Sequence, residues 1–211
     1  MANIRILIAD DHSAIRSGVK HILASEFANI EFGESTTAAE VLNRLKNEVW
    51  DLLILDIDMP GRNGLEILQQ LKAEKNFLPV LVFSMHSEDQ IAMRALKLGA
   101  WGYLSKDAAD TELVDAIRRI LSGRKYISAN LAELMALQLE NPFDKPLHEQ
   151  LSDREFQTLL LMASGKPVSE IALDLSLSIS TISTYRSRIL EKMGMLNNAQ
   201  LTRYAIENNL L

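Results

Sequence analysis

Residues 51–56, Asp-Leu-Leu-Ile-Leu-Asp, decide the fold of the first half of the chain. Four consecutive apolar residues stand between two carboxylates, a pattern typical of a short strand buried on both faces of a parallel sheet. Similar apolar runs occur at 4–9 and 79–83, and weaker strand patterns at 30–32 and 101–104. The sequence therefore predicts five strands in this half.

Amphipathic stretches with apolar residues at helical spacing alternate with these strands. They lie at 14–24, 38–49, 64–71, 91–98 and 113–121. Strands that alternate with helices favour a parallel sheet covered by helices on both faces. We therefore expect a doubly wound, flavodoxin-like α/β domain over residues 1–124.

The strand patterns stop in the last third of the chain. Four helical patterns follow residue 151, at 153–163, 169–175, 180–193 and 198–208. The short turn between the second and the third of these is the spacing of a helix-turn-helix. Residues 125–150 combine a helical stretch at 129–139 with two prolines and mixed charges, which indicates a linker. The sequence thus predicts an all-α domain over 151–211.

The composition restricts the possible functions. The 211 residues are 47% hydrophobic and 24% charged, which suits a chain with a folded core. The lack of cysteine excludes disulfides and thiolate chemistry. No apolar run approaches the ~20 residues that span a bilayer, and the run at 4–9 ends at aspartates, unlike a signal-peptide core. We expect a cytoplasmic protein with no membrane partner.

Three carboxylates follow predicted strands: Asp10 and Asp11 after the first, and Asp56 after the third. The carboxyl ends of parallel strands share one edge of a sheet, where ligands bind. Clustered carboxylates repel one another, and a hard divalent cation relieves that repulsion. Mg²⁺ suits one or two carboxylates together with a phosphate. The pattern predicts a Mg²⁺-dependent phosphoryl site.

Two more polar side chains follow later strands, Ser84 and Lys106. Their hydroxyl and ammonium groups could hold phosphoryl oxygens while Asp56 acts as the nucleophile. Any one aspartate after a strand is more often a loop or capping residue, so the hypothesis depends on the ordered set. A phosphohydrolase or phosphotransferase is an alternative, but it would need a further acid-base residue near Asp56.

This ordered set resembles the receiver domain of response regulators. The resemblance rests on Asp10-Asp11, Asp56 with Met59-Pro60-Gly61, Ser84 and Ser105-Lys106. It implies that Asp56 is the phosphoacceptor. It also implies a Mg²⁺ site formed by Asp56, Asp11 directly, Asp10 mainly through water and the backbone carbonyl of Asp58. Ser84 and Tyr103 match the hydroxyl and aromatic positions that rearrange on phosphorylation.

The predicted third helix of the second domain has two distinct faces at about 100° per residue. Its apolar face holds Ile182, Tyr185, Ile189 and Met193, and its polar face holds Ser180, Ser183, Thr184, Ser187 and Arg188. Small hydroxyl residues can enter a major groove and bond to bases. Arg186, Arg188 and Lys192 provide local positive charge for phosphates, although residues 151–211 carry six basic and six acidic groups.

This domain resembles the LuxR-type DNA-binding domain. The resemblance rests on Leu151–Glu155, Glu170–Ala172 and Thr181–Gly194, and with the receiver it indicates the NarL/FixJ class. Many relatives carry Lys where this chain has Ser183, so hydroxyl contacts should matter more here. The predicted DNA-contacting residues are Thr181, Ser183, Thr184, Arg186, Ser187, Arg188 and Lys192.

The resemblance implies a mechanism. A sensor histidine kinase phosphorylates Asp56, the protein forms a homodimer, and the dimer binds promoter DNA. The protein is then a regulator and not an enzyme. Two alternatives stay open. One is a phosphorylation-independent transcription factor whose receiver serves only as a protein-contact scaffold. The other is a receiver that acts purely through proteins, with the last helices forming an interaction bundle.

Overall fold

The computed structural model describes residues 3–60, 62–85, 90–140, 146–208 and 210–211. The chain divides into two compact units, Met1–Leu137 and Gln138–Leu211. Gly61 of the predicted receiver motif and residues 141–145 of the predicted linker lie outside the described residues.

The first unit contains a five-stranded parallel sheet. Its strands are β1 (Ile4–Ala9), β2 (Ile30–Ser35), β3 (Leu52–Leu55), β4 (Val80–Ser84) and β5 (Gly102–Ser105). Their order is β2-β1-β3-β4-β5, with every pairing parallel. All residues of β3 and β4 are buried, as the continuous apolar runs predict. The doubly wound, flavodoxin-like prediction is confirmed.

In the part of this unit that the structure describes, five helices alternate with the strands, and a 3₁₀ turn (Lys106–Ala108) follows β5. The helices are α1 (Ser13–Glu26), α2 (Ala38–Asn47), α3 (Gly64–Ala73), α4 (Gln90–Lys97) and α5 (Ala109–Leu121). The expected end of α2 at Val49 is wrong. Glu48 is already extended, and the Val49 side chain is 78% exposed. The chain leaves the helix early because it must turn towards β3.

One face of the sheet packs against α1 and α5. Ile6, Ile8 and Ile54 meet Val19 and Leu23 of α1 within a single buried cluster, and Leu113 and Ile117 of α5 belong to the same cluster. Burial of one such side chain stabilises the fold by about 1.5–3 kcal/mol. This packing fixes the strands, and so fixes the loops that follow their carboxyl ends.

A further helix, α6 (Ala129–Glu140), follows α5, and the division between the two units falls within it. The predicted helix over 129–139 is therefore confirmed. Before it, Tyr126 forms an isolated parallel bridge with Gly102 of β5. No sequence pattern indicates this bridge, since one residue carries no periodicity.

Within residues 146–208 and 210–211, the second unit contains four helices after a 3₁₀ turn (Leu147–Gln150). The helices are α7 (Asp153–Ala163), α8 (Val168–Asp174), α9 (Ile179–Met193) and α10 (Asn198–Glu207). A capping box of Ser152 and Glu155 begins α7, and Gly194 ends α9 with φ at 65°. The helix-turn-helix prediction is confirmed for α8 and α9. Among the described residues, no helix is both long and apolar enough to cross a membrane.

Candidate functional sites

One edge of the sheet gathers the acidic side chains. Asp10 follows β1 and Asp56 follows β3, and both residues are 2% exposed. The Asp56 amide donates to the Ala9 carbonyl at 2.8 Å, which ties the two loops together. Single ligand atoms of Asp10, Asp11, His12 and Asp56 all lie within 4.8 Å of one another. The sheet thus brings together the three predicted carboxylates and a histidine.

Lys106 forms ion pairs with two of these carboxylates. Its ammonium Nζ lies 2.7 Å from Oδ2 of Asp10 and 2.9 Å from Oδ2 of Asp56. The side chain is 4% exposed, so little water screens the two ion pairs. The hydroxyl of Ser105 accepts the Asp107 amide and turns the chain after β5, so that Lys106 stands at the sheet edge. One buried cation therefore partly balances a buried pair of anions.

Burial and charge act in opposite directions on these groups. Burial raises the pKa of Asp56 to about 6, although the ammonium of Lys106 opposes the shift and the charges of Asp10 and Asp58 add to it. Burial also disfavours the charged form of Lys106, but the Asp56 and Asp10 carboxylates raise its pKa. Such an acidic centre with incomplete compensation favours a further cation.

Ser84 and Tyr103 lie on the two strands nearest to Lys106. Both are completely buried, and Ser84 pairs with Ser105 while Tyr103 pairs with Val82. Ser84 therefore ends β4 at the same edge at which Lys106 follows β5. Tyr103 is enclosed by the fold, so any rearrangement of its ring requires its neighbours to move.

His12 contacts the acidic cluster, although the sequence pattern does not predict it as a site residue. Its Nδ1 lies 2.7 Å from Oδ1 of Asp11, and its backbone amide donates to Oδ1 of Asp10 at 2.8 Å. His12 directly follows the aspartate pair, but sequence adjacency alone does not show that the ring turns back towards them.

Gly64 is a second site residue that the sequence pattern does not predict. A Cβ at this position would lie 2.4 Å from the backbone oxygen of Asp56 and 3.0 Å from Cα of Ile57. The Gly64 amide donates to the Ile57 carbonyl at 3.0 Å, and the Asn63 side chain caps α3. The start of α3 therefore packs directly against the backbone of the loop that carries Asp56. The Asn-Gly pair at a helix start is the one signal of this contact in the sequence.

The polar face of α9 is open to solvent. Ser180, Ser183, Thr184, Ser187 and Arg188 are exposed, as the helical periodicity predicts. On the opposite face Ile182, Ile189 and Met193 are buried, whereas Tyr185 is only half-buried. The α9 helix thus offers one continuous hydroxyl-rich surface.

The hydroxyl groups on this surface donate their hydrogen bonds within the helix. Ser183 and Thr184 each donate to the carbonyl four residues earlier at 2.9 Å, and Ser187 does so at 3.1 Å. Their oxygen lone pairs remain available to an outside donor. Thr181 differs, because it is half-buried and its Oγ1 lies 2.7 Å from the Ser178 hydroxyl.

The three basic residues of α9 have different environments. Lys192 forms an ion pair with Glu155 at 2.6 Å, and the Glu155 side chain is 3% exposed. Arg186 donates to the amide oxygen of Asn198 at 2.8 Å. Arg188 is exposed and forms no hydrogen bond or ion pair with the residues that the structure describes. The three side chains are therefore not equally available to a phosphate.

Comparisons with known proteins identify both units. Residues 6–118 match the response regulator receiver domain, and residues 149–205 match the bacterial regulatory proteins of the luxR family. Response regulator UvrY of Escherichia coli (strain K12) is 33% identical over 98% of this chain and 95% of its own length. The similarity thus extends over both domains.

Solved structures give the same result. RcsB from Salmonella enterica serovar Typhimurium, bound to promoter rprA in the presence of the phosphomimetic BeF3⁻, matches with a TM-score of 0.65 and 28% identity, covering 96% of this chain and 98% of that one. A structure of two RcsB dimers bound to two parallel DNAs matches with a TM-score of 0.59 and 28% identity, and it covers the same shares of the two chains. The chain belongs to the response regulators of two-component systems. Its receiver and LuxR-type domains place it in the NarL/FixJ class of that family.

Proposed function

We propose that the receiver is switched by phosphorylation of Asp56 and that the switch controls dimerisation and promoter binding. The observation that carries the proposal is the buried contact of Lys106 with both Asp10 and Asp56 at 2.7 and 2.9 Å. We assign residues 1–124 to the receiver, 125–150 to the linker and 151–211 to the DNA-binding domain.

A bound Mg²⁺ fits the donor set. Asp10, Asp11 and Asp56 offer the carboxylate oxygens that this cation prefers, and the excess of buried negative charge favours its binding. Asp11 and Asp56 would hold the ion directly, with Asp10 acting through water and Asp58 through its backbone carbonyl. When bound, Mg²⁺ neutralises negative charge on transferring phosphoryl oxygens.

The chain's own residues supply the remaining steps. An oxygen of the Asp56 carboxylate attacks the phosphorus of a phosphohistidine on the partner kinase. A phosphorus–oxygen bond forms as the phosphorus–nitrogen bond breaks, and the histidine nitrogen leaves. Lys106, already 2.9 Å from Asp56, can move to a phosphoryl oxygen, and Ser84 can donate to another. Asp56 is altered in this reaction, so we regard the protein as a regulator and not as an enzyme.

The output is DNA binding through α9. The exposed hydroxyls of Ser183, Thr184 and Ser187 are the proposed base contacts, and Arg186 and Arg188 the proposed phosphate contacts. Thr181 would act at the edge of this surface. Lys192 is assigned a structural role, because its ion pair with Glu155 draws its charge towards α7. The RcsB complexes with promoter DNA support this use of the domain.

The test is phosphorylation of the intact chain by acetyl phosphate with Mg²⁺. We expect a mass gain of one phosphoryl group, a shift towards the dimer and tighter retention on DNA. Asp56→Asn should show none of the three, because its amide is a poor nucleophile. Asp115→Asn, at an exposed carboxylate on α5, is the matched control and should behave as the wild type.

One result would favour the scaffold alternative. If the wild-type chain gains no mass and binds DNA equally well with or without the phosphodonor, the receiver serves only for protein contacts. If the intact chain fails to bind DNA even at low salt, a receiver acting purely through proteins is favoured.

A further inference from the structure

The chain returns to the sheet immediately after α5. The Tyr126 amide donates to the Trp101 carbonyl at 2.9 Å, and Tyr126 bridges Gly102 in the parallel sense. Since β5 ends the strand order, this contact covers the beginning of an otherwise free strand edge. Tyr126 is 5% exposed and belongs to the same buried cluster as α1 and α5. It is thus built into the receiver, although it precedes the linker helix by only three residues.

The contact with Gly102 leaves no free space. A Cβ on Gly102 would lie 3.1 Å from both the Cβ and the backbone oxygen of Tyr126, and 3.2 Å from Cδ1 of Leu81. Packed contacts of this kind transmit displacements, because they cannot be compressed. A movement of β5 at this point must therefore displace Tyr126.

The side chain of Tyr126 is held by α5. Its hydroxyl donates a hydrogen bond to the carboxylate of Glu112, and the guanidinium of Arg119 lies 5.9 Å from the ring centroid. Tyr126 therefore contacts β5 through its backbone and α5 through its side chain. Two residues later Ser128 accepts the Leu131 amide and starts α6. Tyr126 is thus held in the receiver two residues before the residue that caps α6.

The other end of β5 leads to the acidic site. β5 has four residues, and Lys106 follows it directly. A strand of this length spans about 13 Å, and all four of its residues pair with β4. When a phosphoryl group arrives on Asp56, one of its oxygens comes within reach of the Lys106 ammonium, which already contacts Asp10 and Asp56, so the contacts of Lys106 rearrange. Any shift of β5 that accompanies this rearrangement reaches Tyr126 through Gly102.

We propose that Tyr126 is the positioning residue that couples the phosphorylation site to the linker helix α6, through its bridge to Gly102 and its hydrogen bond to Glu112. The proposal rests on the proposed phosphorylation of Asp56. Tyr126 acts through β5 and α5 and takes no part in phosphoryl transfer itself.

The test compares hydrogen exchange of the α6 amides at 130–136 with and without acetyl phosphate and Mg²⁺, in the intact chain. Intact mass measures phosphoryl occupancy in the same samples. Tyr126→Phe removes only the hydroxyl, and Glu112→Ala removes its acceptor. Lys125→Ala changes the adjacent exposed residue and is the matched control.

In the wild type and in Lys125→Ala, phosphorylation should change these exchange rates by about fivefold or more, the size of a typical coupling between sites. In Tyr126→Phe and Glu112→Ala the change should fall below about twofold at equal phosphoryl occupancy. If Tyr126 only stabilised the fold, its substitution would alter exchange equally in the phosphorylated and unphosphorylated chains. The ratio of the two exchange rates would then stay at the wild-type value.

The two proposals fail in distinguishable ways. The coupling is overturned if Tyr126→Phe and Glu112→Ala keep the wild-type ratio, or if the phosphorylated wild type shows no change in α6. Absence of any phosphoryl gain in the wild type overturns the proposed phosphorylation, and the coupling falls with it.

Discussion

At the scale of single residues, Asp56 combines properties that normally exclude one another. It must be anionic to attack phosphorus, yet burial raises its pKa to about 6. The ammonium of Lys106 opposes this rise of the pKa, and a bound divalent cation would lower the pKa of the carboxylate further. The same burial that disfavours the charged form of the carboxylate also strengthens its attraction to a cation, because little water screens the two charges.

The raised pKa of Asp56 predicts a pH-dependent stability. Its pKa in the folded chain lies above the unfolded value, so the folded chain binds more protons between about pH 4 and pH 6. Stability should therefore decrease as pH rises through that window. Without metal, Asp56→Asn should be more stable than the wild type above pH 6, by about 2–3 kcal/mol, and this advantage should disappear near pH 4.

Urea unfolding in EDTA from pH 4 to pH 7 measures this difference. Addition of Mg²⁺ at pH 7 should stabilise the wild type and leave Asp56→Asn almost unchanged. A stability difference that stays constant across the pH range would show that Asp56 ionises in the folded chain as easily as in water.

At the scale of elements, α3 supports the loop that carries Asp56. Its first residue, Gly64, touches the backbone of Asp56, where a Cβ would lie at 2.4 Å from the backbone oxygen. That oxygen belongs to the main chain and not to the end of a flexible side chain, so it cannot move aside easily. The geometry of the acceptor loop thus depends on a residue with no chemistry of its own.

Gly64→Ala should therefore damage both stability and the site. We expect a loss of about 1–3 kcal/mol from overpacking, with slower phosphorylation by acetyl phosphate because the Asp56 loop is displaced. Gly18→Ala is the matched control: it lies within α1, and its new Cβ would meet nothing within 4 Å. That variant should be stabilised by about 0.5–1 kcal/mol, with an unchanged phosphorylation rate. Equal effects of the two substitutions in chemical denaturation would contradict this role of Gly64.

The elements also show what sequence patterns can and cannot provide. Buried strands such as β1 could be predicted, because a continuous apolar run that ends at carboxylates is typical of a strand inside a parallel sheet. The apolar pattern predicts that β2 ends at Phe32, but its pairing with β1 extends to Ser35, since hydrogen bonding continues where the apolar pattern stops. The meeting of Asp10, Asp56 and Lys106 followed from the strand-end rule. The contact of Gly64 could not be predicted, because it depends on backbone approach in three dimensions.

At the scale of the whole molecule, charge does not identify this chain as a DNA-binding protein. The net charge is −6, and residues 151–211 carry six basic and six acidic groups. In that domain Lys166, Lys192 and Arg203 form ion pairs with acidic partners. Attraction to phosphates must therefore come from a few local cations, and of those on α9 only Arg188 forms no hydrogen bond or ion pair with the described residues.

This distribution predicts different effects for the substitution of two cations that lie four residues apart on α9. Arg188→Ala should weaken binding to a duplex of random sequence and lower the slope of log K against log salt by about 1 per protomer. Lys192→Ala should leave that slope unchanged but destabilise the domain by about 1–2 kcal/mol, because Glu155 stays buried without its cation. The 40% exposure of Lys192 keeps this loss below that of a fully buried pair. Fluorescence anisotropy of the intact chain between about 50 and 200 mM salt gives the slope, and thermal unfolding gives the stability. If Lys192→Ala lowered the slope as much as Arg188→Ala, Lys192 would leave Glu155 to contact DNA, and its assignment to the fold would be wrong.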